Sequence, residues 1–137
     1  MRADWRKAAI EGDSQVIGRL LTEDVNIDGR DRYGQTALML AAMHGQEEVV
    51  AVLLENGADM DVTAKYALSA LMLAVINRHT GVAKQLVDAG ASTQPRGSGA
   101  PGFAGKSARD LAEHGGLTDL AAYIAQAEGR ESQGNRP

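Results

Sequence analysis

The hexapeptide Thr36-Ala37-Leu38-Met39-Leu40-Ala41 returns 33 residues later as Ser69-Ala70-Leu71-Met72-Leu73-Ala74. Only the first position differs, and both versions carry a hydroxyl. A period of roughly 20–50 residues marks stacked supersecondary units, none of which can bury its apolar face alone. The constraint reaches function as well, because repeat stacks present extended surfaces to other macromolecules.

The remaining chain falls into the same register. After the first hexapeptide come Gly45 and then Val49, Val50, Leu53 and Leu54, one apolar face at helical spacing. Gly57-Ala58-Asp59 follows. The next copy runs Val82, Ala83, Leu86, Val87 and then Gly90-Ala91-Ser92. Ala8-Ala9, Gly12, Val16, Ile17, Leu20 and Leu21 form an earlier unit. Ser107-Ala108, Leu111-Ala112, Gly116, Leu120, Ala121 and Ile124 form a later one. The spacing predicts four helix-turn-helix units over 4–30, 31–63, 64–96 and 97–127, an all-α solenoid with short finger loops. Thr36, Ser69 and Ser107 stand just before a helix, where a hydroxyl accepts an orphan backbone N–H. Gly57 and Gly90 stand where a helix ends in a left-handed residue. The terminal units carry polar outer positions, Gln15, Arg19 and Glu23 at one end and Thr118, Asp119 and Gln126 at the other, as caps require. Residues 128–137 are polar and are expected to form a disordered tail.

Asp31-x-x-Gly34-x-Thr36-Ala37-Leu38, then Ala41-Ala42-x-x-Gly45, then Val49-Val50-x-x-Leu53-Leu54-x-x-Gly57-Ala58-Asp59 resembles the ankyrin repeat family. The likeness spans 4–127 and is fullest in the second unit. It implies paired antiparallel helices with projecting fingers, and a protein-binding rather than an enzymatic role. There are departures. Ala37 and Met39, and again Ala70 and Met72, stand where the family often has Pro and His. Ala67 and Arg78 replace glycines, so a less regular third finger is expected. The step from Ser69 to Ser107 is 38 residues instead of 33, and the extra length falls in the Gly/Pro-rich stretch 94–102.

Composition narrows the function. Hydrophobic residues make up 44% of the chain and aromatics only 4%, so the core must be aliphatic. A net charge of −4 argues against a nucleic-acid partner. There is no cysteine, hence no disulfide framework or thiolate metal site. His44, His79 and His114 share no metal-ligand spacing, so neither metal nor cofactor is expected. No Ser/His/Asp set has a catalytic spacing, and an enzyme is not expected. Neither a signal peptide at the start nor a bilayer-spanning apolar run is visible, and a cytoplasmic, monomeric protein with no membrane partner is expected.

The resemblance carries partner contacts onto the finger positions Arg32, Tyr33, Gln35, Lys65, Tyr66, Leu68, Phe103 and Lys106. It also carries them onto first-helix positions including Met43, His44, Ile76, Asn77 and His114, with Trp5 at the matching edge of the first unit. The aromatics point the same way independently. Of Trp5, Tyr33, Tyr66, Phe103 and Tyr123, the first four fall at or near one place in the repeat. Aromatics and Arg are enriched at binding hot spots, and Met adds adaptable apolar contact. Two readings stay open: the aromatics anchor a partner, or they brace neighbouring fingers. Basic fingers opposite acidic second helices (Glu47, Glu48, Glu55) favour an acidic or mixed partner surface. The alternatives are a permanently assembled structural or regulatory subunit, or a homo-oligomer. A remote one is phosphate or nucleotide binding by 100–107, which ends Gly105-Lys106-Ser107 at a helix start.

Overall fold

Apolar residues at helical spacing, hydroxyl caps before them and left-handed residues after them produce four helix pairs. The computed structural model describes residues 1–99 and 102–134, and eight α-helices lie among the described residues. They are α1 (Ala3–Glu11), α2 (Ser14–Leu20), α3 (Ala37–Met43), α4 (Glu47–Glu55), α5 (Ala70–Ile76), α6 (Thr80–Asp88), α7 (Ala108–His114) and α8 (Thr118–Gly134). One pair falls in each of the four stretches read from the sequence. The odd-numbered helices pack in series, α1 on α3 on α5 on α7, and the even-numbered helices form a second series beside them. This is an all-helical repeat solenoid of two layers.

The core lies between the layers. Leu38, Leu40, Leu71 and Met72 enter from the inner series, and Ile17, Val49, Leu53, Leu86 and Ile124 from the outer. Ala41, Ala42 and Ala74 are fully buried, so their small size is used for close approach of helices. Truncating Leu53 to Ala would cost about 2–5 kcal/mol by leaving a cavity. The caps form as the hydroxyls require. Thr36 Oγ1 accepts from the Met39 amide and Ser69 Oγ from the Met72 amide, each at 3.3 Å. Ser107 Oγ accepts from the Asp110 amide at 3.2 Å, and Asp110 reciprocates from the Ser107 amide at 3.0 Å.

Polar side chains lace one unit to the next. Gln46 Nε2 donates to the Ile10 carbonyl at 2.8 Å, and Gln85 Nε2 to the Glu47 carbonyl at 3.1 Å. Asp28 accepts from the Asp59 amide and Asp61 from the Ser92 amide. These carboxylates hold the loops of adjacent units together.

Within the stretch expected to form a tail from residue 128, α8 continues to Gly134. Its anchor is Glu131, which accepts from the Thr93 amide at 2.9 Å and hydroxyl at 2.8 Å, and from Gln94 Nε2 at 3.0 Å. Burial opposes the charge of Glu131, but the hydrogen bonds from Gln94 and Thr93 prevail and hold its carboxyl below the usual range. Residues 135–137 of the expected tail lie outside the described residues.

Candidate functional site

The second finger is built by Asp31. Its carboxylate accepts from the Tyr33 amide at 2.9 Å, the Gln35 amide at 3.0 Å and Arg6 Nε at 3.2 Å. The carboxylate-bearing side chain is only 5% exposed. Burial opposes its ionisation, but the Gln35 and Tyr33 amides and the Arg6 guanidinium prevail and hold the carboxyl below its ordinary range. Gly34 takes φ +79°, a left-handed turn that glycine adopts without strain. This geometry pushes Tyr33 outward, where it is 58% exposed, with the Arg32 guanidinium 5.0 Å from its ring centroid. A depression of about 450 Å³ lies between this finger and the start of α1, lined by Met1, Ala3, Arg6, Asp31, Arg32 and Tyr33. A second, of about 320 Å³, shares Ala3 and Arg6 and runs along α1 to Ile10 and Glu11.

The third finger is built differently. Ala64 replaces the acid, and Lys65–Ala67 form a single 3-10 turn. Tyr66 and Ala67 take φ +64° and +58°, left-handed conformations that cost non-glycine residues about 1–2 kcal/mol each. The lengthened loop covers this finger. The Ser98 amide donates to the Tyr66 carbonyl at 2.8 Å, and the Phe103 and Tyr66 rings lie 6.0 Å apart. The loop is closed by the Gly97 amide on the Lys106 carbonyl and the Gly105 amide on the Gly97 carbonyl. Tyr66 and Phe103 therefore brace each other and are half-buried, while Lys65 stays exposed with its ammonium 4.9 Å from the Tyr66 centroid.

Two candidates leave the site. Trp5 is 1% exposed on α1, within the core, and its indole N–H meets neither an acceptor nor solvent. The first unit has no finger, so this position is helical. The spacing Trp5, Ala8, Ala9 was the available signal, since it marks one helix face. Leu68 is 5% exposed and packs into the core, an apolar residue where the second finger has half-buried Gln35. The other inner positions line up one repeat apart. Ile10, Met43 and Ile76 are half-buried near the ends of α1, α3 and α5, and His44, Asn77 and His114 are exposed beside them. Lys106 is half-buried at the base of the long loop.

The start of α7 offers little to an anion. Asp110 places its own carboxylate on the Ser107 amide, and Arg96 lies 3.5 Å from it. The Ser107 amide's hydrogen bond holds the Asp110 carboxyl below its usual range against the opposing effect of burial. No strand precedes this segment among the described residues, and Ala100 and Pro101 lie outside them. Among the described residues, no group of three or more His, Cys, Asp and Glu is placed to hold a metal ion, and no helix is long and apolar enough to cross a membrane.

The family model for ankyrin repeats (3 copies) matches residues 6–97, from within α1 through α6. The chain belongs to the ankyrin-repeat family. A comparison with curated proteins finds no match. Ankyrin repeats are in general protein–protein interaction modules and are in general not enzymes. The fourth pair of this ankyrin-repeat chain, α7 and α8, continues the stack beyond the matched residues with the same hydroxyl cap.

Proposed function

We propose that this chain docks a partner protein on its finger tips and inner-helix surface, with Tyr33 as the central anchor. One observation carries the reading. The exposed large hydrophobic side chains among the described residues are Met1 and Tyr33, and both line the same depression beside Arg6 and Arg32. A solvent-exposed aromatic with Arg stacked on it has the composition of a binding hot spot. The half-buried row of Ile10, Met43 and Ile76 extends the apolar contact along the inner helices.

Photo-crosslinking tests it. A benzoylphenylalanine placed at Tyr33 should trap a discrete protein in lysate, while the same probe at Gln15 or Gln126 on the outer helices should not. Equal trapping at all three positions, or none at Tyr33, sinks the reading. Trapping of a second copy of the chain alone would favour the self-assembled subunit.

A further inference from the structure

We infer that the segment docked on these fingers is an extended acidic strand of the partner, with carboxylates on about every third residue; the inference rests on the interaction reading above. Arg32 and Lys65 occupy the same repeat position on adjacent fingers. Each lies over the tyrosine that follows it, at 5.0 Å and 4.9 Å from the ring centroid. The ion pairs among the described residues use Arg2, Arg6, Arg96 and Arg109, and neither Arg32 nor Lys65 takes part in one. The acids nearby are already engaged. Asp31 holds two amides and Arg6, Asp59 holds the Asp61 amide, and Asp61 holds the Ser92 amide. On a chain of net charge −4, the fingers thus present two cations that form no ion pair among the described residues.

Spacing selects the conformation of the occupant. The inner helices pack one on the next, α1 on α3 on α5, and packed helices stand about 8–10 Å apart, which sets the scale of the step from one finger to the next. A polyproline II segment advances about 3.1 Å per residue with about three residues per turn, so side chains on one face recur about every 9 Å. Carboxylates at every third position therefore meet Arg32 and Lys65 in turn. The guanidinium of Arg32 can hold one carboxylate through two parallel N–H donors. The exposed ring of Tyr33 receives the Pro or apolar residues between them, since aromatic-lined grooves suit this helix.

The test is fluorescence anisotropy of the full chain with labelled peptides of repeated Glu-Pro-Ala, the Gln-Pro-Ala analogue, a composition-matched peptide with its Glu residues clustered, and a thymidine oligonucleotide. The Glu-Pro-Ala peptide should bind about tenfold or more tighter than the other three, and weaken as salt is raised. Arg32→Ala and Lys65→Ala should each weaken it several-fold, while Glu55→Ala should not. Unchanged melting curves for these surface variants would show that the loss is not one of fold. Equal binding of the Gln peptide, of the clustered peptide or of the oligonucleotide overturns the inference, as does no binding by the acidic peptide. Crosslinks from Tyr33 to neutral or basic segments overturn it while leaving the interaction reading intact. Absence of any crosslink overturns the interaction reading itself.

Discussion

In the second finger the Asp31 amide donates to the Gln35 carbonyl at 2.9 Å and the Gly34 amide to the Asp31 carbonyl at 3.0 Å. In the third, Ala64 donates to Leu68 at 3.1 Å and Ala67 to Ala64 at 3.0 Å, the same two bonds one repeat later. The two closing hydrogen bonds are thus shared, but Tyr66 takes a positive φ that Tyr33 does not, and the side chains differ as well. Asp31 secures its finger from within and leaves Tyr33 open to solvent. Ala64 has no such side chain, and the third finger is held from outside by the loop that carries Ser98 and Phe103. A finger that is secured internally can offer its aromatic to a partner. A finger secured by a neighbouring loop has already committed its aromatic.

The largest expected effect comes from removing the internal support. Asp31→Ala should cost about 2–3 kcal/mol in urea unfolding, because the Tyr33 and Gln35 amides and Arg6 lose one shared acceptor. The reciprocal Ala64→Asp should stabilise the third finger by at most about 1 kcal/mol, since its amides are already adapted to a different turn. If Asp31→Ala proves neutral, the two fingers do not differ in the way described.

Next in size is the aromatic pair. Tyr66→Ala and Phe103→Ala should each cost about 1–3 kcal/mol, with a coupling of about 0.5–1.5 kcal/mol in a double-mutant cycle. Tyr33→Ala should stay within about 0.5 kcal/mol of the parent, as exposed substitutions usually do. A large loss at Tyr33 would make it a brace and remove it from the binding face.

The turn residues come third. Ala67→Gly should raise stability by about 0.5–1 kcal/mol by relieving a left-handed alanine, and Gly34→Ala should lower it by about 1 kcal/mol. Thermal melts of the two variants shifting in opposite directions would show that both turns require a left-handed residue at this position. Shifts in the same direction would show that the covering loop, not the turn, sets the conformation of the third finger.

The fold was legible because its determinants are local and repeated. Thr36 and Ser69 cap, Leu38 and Leu71 bury, and Gly57 and Gly90 end helices at φ +83° and +97°. The expectation of an irregular third finger followed from Ala67 and Arg78, which do take positive φ. At Arg78 the side chain offsets part of the strain by donating to the Gly115 carbonyl at 2.7 Å. The site was less legible because exposure depends on what lies across the stack. Trp5 shares the finger aromatics' place in the repeat, yet it lies on α1 and is buried in the core. Tyr33 and Tyr66 occupy identical repeat positions, and only the fold of the 97–106 loop separates an open ring from a covered one. Glu131 was unreadable for the same reason, since its partners Thr93 and Gln94 lie almost forty residues away and belong to the preceding unit.

The smallest effect distinguishes the fingers by protonation. The Asp31 carboxyl is held below its ordinary value, so its contribution to stability is complete above the unfolded value of about 3.9 and is lost as pH falls through the lower, folded value. Protonation also weakens its acceptance from the Tyr33 and Gln35 amides. In an acid titration followed by amide NMR, those two resonances should move together with a midpoint below about 3.9. The Ala67 and Leu68 amides of the third finger, which has no acid in that position, should move far less. Asp4, Asp110 and Glu131 are also held low and lose their stabilising charge in the same direction, so global unfolding alone cannot isolate the finger. Asp31→Asn isolates it, because the Tyr33 and Gln35 shifts should then become flat while the contributions of the other acids persist. A midpoint above the ordinary value would mean that burial outweighs the three hydrogen bonds, and protonation would then stabilise, not loosen, the second finger.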